Sequence, residues 1–189
     1  MEDSLQAIRE DIVQRLSAAV GDRRSPMHTP VVASGDAGAR VMVLRDFDPG
    51  SWTLRFHTDA RAPKVRVIES DPRVTVLAYD RDSNLQIRLT GHGRILRDGE
   101  IVEAAWAQAT NFARRCYLGA GPGEETDGPD SGLPSELEGV EPDDAQLVPA
   151  RSNFAVLLVE IREADWFCLA HSGHRRAIVN RHEGRWVTP

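Results

Sequence analysis

From Thr29 onward the apolar runs are short, rich in β-branched residues and closed by turn signals, a pattern that commits the chain to hairpin-connected strands. Val31-Val32 begins the series. Arg40 to Phe47 reads as one strand closed by Asp48-Pro49-Gly50, and Thr53 to Thr58 completes a hairpin. Val74–Tyr79 and Leu85–Leu96 form the next pair around Arg81-Asp82-Ser83-Asn84. In the second of these, Leu85, Ile87 and Leu89 alternate with Gln86, Arg88 and Thr90, which gives one apolar and one polar face. Gly91 and Gly93 predict a bulge or bend there. Strands at Phe154–Ile161, Asp165–Ala170, Arg176–Asn180 and Arg185–Val187 close the series, with His182-Glu183-Gly184 turning the last two.

Three helices interrupt the strands. Leu5, Ile8, Ile12, Leu16 and Ala19 recur at helical spacing over residues 3–20, with Asp3 or Ser4 as cap. Residues 63–70 form a short helix begun by Pro63 and ended by Asp71-Pro72. Residues 100–118 read as one long helix, with Cys116 as a buried structural cysteine on it. The expected class is mainly β (α+β): an antiparallel barrel or sandwich with an N-terminal helix and one long helix, and not a parallel βαβ sheet. The chain of 189 residues reads as one domain.

Charge is unevenly placed. Of 29 acids, nine fall between Cys116 and Arg151, where there is no base, so residues 119–149 read as an acidic Gly/Pro-rich loop. The bases are dispersed and the net charge is -6, which argues against nucleic acid as a partner. No basic, apolar leader and no membrane-length apolar run is evident, so a cytoplasmic location is expected. The histidines lack carboxylate or cysteine companions at ligand spacing, so no metal is expected.

Lys64 is the one lysine among 23 bases. It stands with Arg61 at the start of a helix, where free backbone N–H groups and the positive dipole end favour anions. Arg40, Arg45 and Thr58 precede it on the hairpin, and together these residues suit a phosphate monoester. The Gln86 amide both donates and accepts, so it suits the edge of a planar heterocycle. Trp166, His171, His174, Arg175 and Arg176 form a late set in which the indole serves as a flat wall or as core filler. Gly119-Ala120-Gly121-Pro122-Gly123 follows a helix instead of preceding one, so it is not a dinucleotide loop.

In this order the motifs resemble the pyridoxamine 5'-phosphate oxidase family of FMN-binding split barrels. The family's R-x-x-x-L-[KR] strand matches Arg40-Val41-Met42-Val43-Leu44-Arg45, and its aromatic-x-T-[ND] strand end matches Phe56-His57-Thr58-Asp59. Its lysine, N/D-P pair and strand glutamine match Lys64, Asp71-Pro72 and Gln86, and its late tryptophan and arginine match Trp166 and Arg176. The resemblance implies an FMN-dependent oxidoreductase acting on a small molecule as a homodimer. It implies FMN phosphate and ribityl contacts from Arg40, Arg45, Thr58 and Lys64, with His57 also among the cofactor-binding residues. The backbone of Val41, Met42, Val43 and Leu44 would line the ring, Gln86 would meet its edge, and Trp166 and Arg176 would reach over from the second subunit. Pro63 replaces the family's arginine before the lysine, with Arg61 in its stead. The oxidase's R-x-H becomes Ser172-Gly173-His174, leaving His174 as the substrate contact. Trp106 and Thr110 take the register of its substrate-phosphate tyrosine and arginine, and its Gln-Ser pair has no counterpart in Gly119–Gly123. The missing arginine keeps a second expectation open, a flavin- or haem-binding protein without turnover.

Overall fold

The computed structural model describes residues 4–189; Asp3, the alternative cap of the first helix, lies outside them. Helix α1 (Leu5–Gly21) starts where the Ser4 side chain accepts from the Ala7 amide, and it buries Ile8, Ile12, Leu16 and Ala19. Strands β1 (Val31–Ser34), β2 (Ala39–Val41), β3 (Leu44–Asp48) and β4 (Thr53–Asp59) follow, then α2 (Pro63–Ser70), β5 (Arg73–Asp80) and β6 (Leu85–Leu96). The rest comprises α3 (Glu100–Gln108), α4 (Asn111–Arg114), α5 (Asp144–Leu147) and strands β7 (Phe154–Cys168), β8 (Arg175–Val179) and β9 (Gly184–Val187).

All strand pairings among the described residues are antiparallel, in the order β2-β1-β5-β6-β7-β4-β3, with β8 and β9 branching from β7. The curled sheet is a split barrel. Its two end strands, β2 and β3, are joined directly by Met42-Val43 at the split. The long β7 pairs with β6 along its length, with β4 through Phe154–Glu160 and with β8 through Ala164–Cys168. The register shifts at Gly91, where a Cβ would lie 2.1 Å from the Glu160 carbonyl oxygen, so the bulge requires glycine. The barrel core packs α1 against Leu54, Phe56, Ile87, Leu89, Leu157 and their neighbours. A smaller core of Val102, Ala105, Phe154 and Val156 lies under α3.

Several expectations need correction. Arg40 to Phe47 is two strands, because the chain crosses from one sheet edge to the other at Met42-Val43. There the Met42 and Leu44 amides donate to the Pro30 and His28 carbonyls. The 100–118 helix is broken: Ala109 is extended, and the Thr110 side chain caps α4 by accepting from the Ala113 amide. Cys116 is exposed. The two strands drawn over 154–170 are one, since β6 pairs with β7 on both sides of the bulge. Segment 119–149 also carries order of its own, with α5 capped reciprocally by Asp143 and Gln146, and with Leu137 and Leu147 buried. The buried Arg115 guanidinium donates to the Leu137 and Val140 carbonyls and ties this segment down. Among the described residues, no helix is long and apolar enough to cross a membrane.

Candidate functional site

Two of the expected phosphate ligands, Arg40 and Lys64, come together beside the start of α2. Arg40, on β2, donates through Nη1 to Ser34 Oγ (2.9 Å) and the Val32 carbonyl (3.3 Å), which fixes its guanidinium at the β1–β2 hairpin. Lys64 lies in the first turn of α2. Burial holds its ammonium below the usual lysine range, and the neighbouring Arg40 charge adds to that, with Asp59 opposing. Two cations are thus held close enough to repel each other. Beside them, the N-cap of α2 is Ala62, which has no side-chain acceptor. Pro63 carries no N–H and the Val65 amide donates to the Ala62 carbonyl at 2.9 Å, which leaves the Lys64 amide as the open donor of the first turn. Thr58 is buried at the end of β4, the strand that leads to this turn.

The other expected ligands divide. Arg61 donates to both Asp59 oxygens (2.7 and 3.0 Å) and to the Gly119 carbonyl (2.9 Å), so its charge is neutralised and it also ties down segment 119–149. Arg45 is the extra residue in a bulge between Leu44 and Asp46, which re-aims its exposed side chain. Its positive field reaches His57 and Tyr117. His57 packs edge-on to Phe154 at 4.9 Å in a cluster completed by Trp106 and Tyr117. Burial, with Arg45 and Arg55 nearby, pushes the imidazole down to about 4, so it is neutral at physiological pH. Its Nε2 is buried without a hydrogen-bond partner among the described residues. In the β2–β3 link Met42 and Leu44 are buried, whereas Val41 is 65% exposed and Val43 is half-buried.

A second group lies on the outer face of the sheet. Register aligns Tyr79, Gln86, Phe167 and Arg176 in one cross-strand row, and Val41, Val31, Leu77, Arg88, Asp165 and Ile178 in the row beside it. Arg176 lies 5.6 Å over the Phe167 ring, and His174 meets the same ring edge-on at 5.9 Å. Trp166 is not part of this face. It is 2% exposed within the barrel core, and its Nε1 donates to Asp11 Oδ2 on α1 at 2.9 Å. The expectation that it covers a ligand of the other subunit is therefore corrected: strand alternation turns Trp166 inward and Phe167 outward. The signal that identifies Phe167 is Asp165, because a carboxylate at an odd position of β7 marks that parity as the polar face.

Residues 19–97 match the family model described as pyridoxamine 5'-phosphate oxidase, FMN-binding domain. No curated protein matches the sequence. Among solved structures, the chain is similar to a pyridoxamine 5'-phosphate oxidase-related, FMN-binding protein from Nostoc punctiforme. The TM-score is 0.74 and the identity 22%, over 98% of this chain and 100% of the other. It is also similar to PhzG from Burkholderia lata, crystallised with tetrahydrophenazine-1-carboxylic acid, with a TM-score of 0.66 and 15% identity over 98% of this chain and 92% of that one. A general stress protein 26-related protein from Clostridium acetobutylicum gives 0.55 and 11%, over 90% and 94%. At these identities the likeness establishes the fold.

Proposed function

From a chain whose residues 19–97 match the FMN-binding domain of pyridoxamine 5'-phosphate oxidase and whose sheet is that family's split barrel, we propose an FMN-dependent oxidoreductase that works as a cytoplasmic homodimer. One observation carries the reading. Arg40 and Lys64 form a half-buried pair of like charges beside the uncapped first turn of α2. Such a pair is costly alone and is relieved by a dianionic phosphate. The residues fit FMN in the following way. The Lys64 ammonium and backbone amide and the Arg40 guanidinium hold the phosphate, with Thr58 at its edge. The Val41–Leu44 backbone lines the ring system. Gln86 bonds its heteroatom edge, and Phe167 and Arg176 of the second protomer close over it.

The outer face supports the dimer, because it carries Val41 and Tyr79, respectively 65% and 46% exposed, beside Phe167 and Ile178. Bound flavin supplies two-electron chemistry, and the chain's own groups bind and orient the substrate. Arg45, freed by its bulge, and His174, beside Phe167, are the residues set to hold a small-molecule substrate. Ser172 in place of the oxidase's arginine favours a second reading, in which flavin is bound without turnover.

The test is the visible spectrum of the purified protein, followed by mass spectrometry of the released chromophore. Flavin bands and a mass of FMN support the proposal, whereas a colourless protein that takes up no FMN overturns it. A Soret band would instead indicate haem. Reduction of bound FMN by pyridoxamine phosphate or NAD(P)H, with reoxidation, separates enzyme from carrier.

A further inference from the structure

Asp165 is an unusual group for the outer face of a sheet. It is 3% exposed, yet its carboxylate receives two guanidinium groups. Arg176 donates through Nε to Oδ1 (2.9 Å) and through Nη2 to Oδ2 (2.8 Å), a bidentate fork. Arg88, on the other neighbouring strand, donates to Oδ2 at 2.6 Å. β7 therefore sets the acid between β6 and β8, and each of those strands supplies one arginine. The trio keeps one net positive charge. The fork also fixes the Arg176 guanidinium against the Phe167 ring, where a free arginine would sample many rotamers. The hydrogen bonds from Arg176 hold the Asp165 carboxyl below its ordinary range, so the clamp is charged at neutral pH.

We infer that Asp165 is a positioning residue: it locks Arg176 into the single orientation in which its remaining donor edge faces the flavin held by the other protomer. The inference rests on the FMN reading above and adds a residue that neither the motifs nor the family model assigns. A fixed guanidinium loses less entropy on meeting a ligand, so the gain appears as affinity.

A double-mutant cycle on FMN affinity tests it, with wild type, Asp165→Asn, Arg176→Met and the double variant titrated by flavin fluorescence. If Asp165 acts through Arg176, each single change weakens FMN by about tenfold, the worth of one charge-assisted contact, and the double is no weaker than the worse single. Multiplying effects (about 100-fold in the double), or an Asp165→Asn protein that binds like wild type, overturns the inference. Sedimentation of the same variants supplies the structural control. Loss of FMN with the dimer intact supports positioning, and loss that tracks dimer dissociation assigns Asp165 to the interface instead. Should Asp165→Asn fail to fold, Asp165→Glu keeps the charge but displaces the fork, and the same cycle is run with it. If wild type itself takes up no FMN, the flavin reading fails; if wild type binds and the cycle multiplies, only the positioning role fails.

Discussion

Trp166→Phe separates the two roles open to this tryptophan. The indole is 2% exposed and donates to Asp11 Oδ2 at 2.9 Å, while Asp11 Oδ1 accepts from Arg15 Nε at 2.8 Å. Arg15 in turn reaches Asp80 at 2.7 Å, so the indole anchors a chain of contacts that docks α1 on the sheet. Removing a hydrogen bond to a charged acceptor costs about 2 kcal/mol. Shrinking the ring inside a packed core adds about 1 kcal/mol. For a chain of this size the total of about 3 kcal/mol lowers Tm by about 6–12 °C. FMN affinity should stay within about threefold of wild type, a difference under 1 kcal/mol. The assay is thermal unfolding of apoprotein alongside an FMN titration of the same preparation. Unchanged Tm with FMN affinity reduced more than tenfold would refute the inward orientation and restore Trp166 to the ligand.

Three further outcomes follow from the site. Phe167→Ala should weaken FMN binding while lowering Tm less than Trp166→Phe does, as read in the same two assays, because this ring is half-buried on the outer face and not packed in the core. For His57 the folded value is about 4 against 6.5 for the free group. As pH falls from 6.5 to 4 the unfolded chain takes up a proton that the folded one excludes, so stability drops by up to about 3 kcal/mol. Denaturant unfolding at pH 7 and 4.5 measures the drop, and His57→Phe should remove most of it. Arg115→Met removes the donor to the Leu137 and Val140 carbonyls, so limited proteolysis should cut within 119–149 faster than in wild type, with FMN affinity little changed.

Local chemistry made part of the fold legible. Pro63 and Asp71-Pro72 are hard stops, and α2 runs Pro63–Ser70 as they require. The alternation of Leu85, Ile87 and Leu89 predicts β6 at its observed limits, and the bulge falls at Gly91. What was not legible depends on the chain's path. Nothing within Arg40–Phe47 says that the chain leaves one sheet edge at Met42 and joins the other at Leu44, since that break is made by carbonyls of Pro30 and His28. β7 continues through Arg162 and Glu163 because β6 offers partners on both sides of its bulge. At Thr110 the signal was present, a capping hydroxyl three residues before Ala113, but the apolar spacing across it masked the break. In the site, Lys64 and Arg40 were found as residue types in order. The outward parity of Phe167 was signalled by Asp165 two residues before it, whereas the clamp of Arg88 and Arg176 on Asp165 needed the register of three strands.

The central claim is that a phosphate monoester is gripped by Arg40 and Lys64. It is tested most directly by calorimetric titration of FMN and of riboflavin into wild type and Lys64→Met. The account predicts that wild type strongly prefers FMN, and that Lys64→Met loses about 10- to 100-fold in FMN affinity while riboflavin binding is unaltered. Equal affinity of wild type for the two ligands, or an FMN affinity indifferent to Lys64, would contradict it.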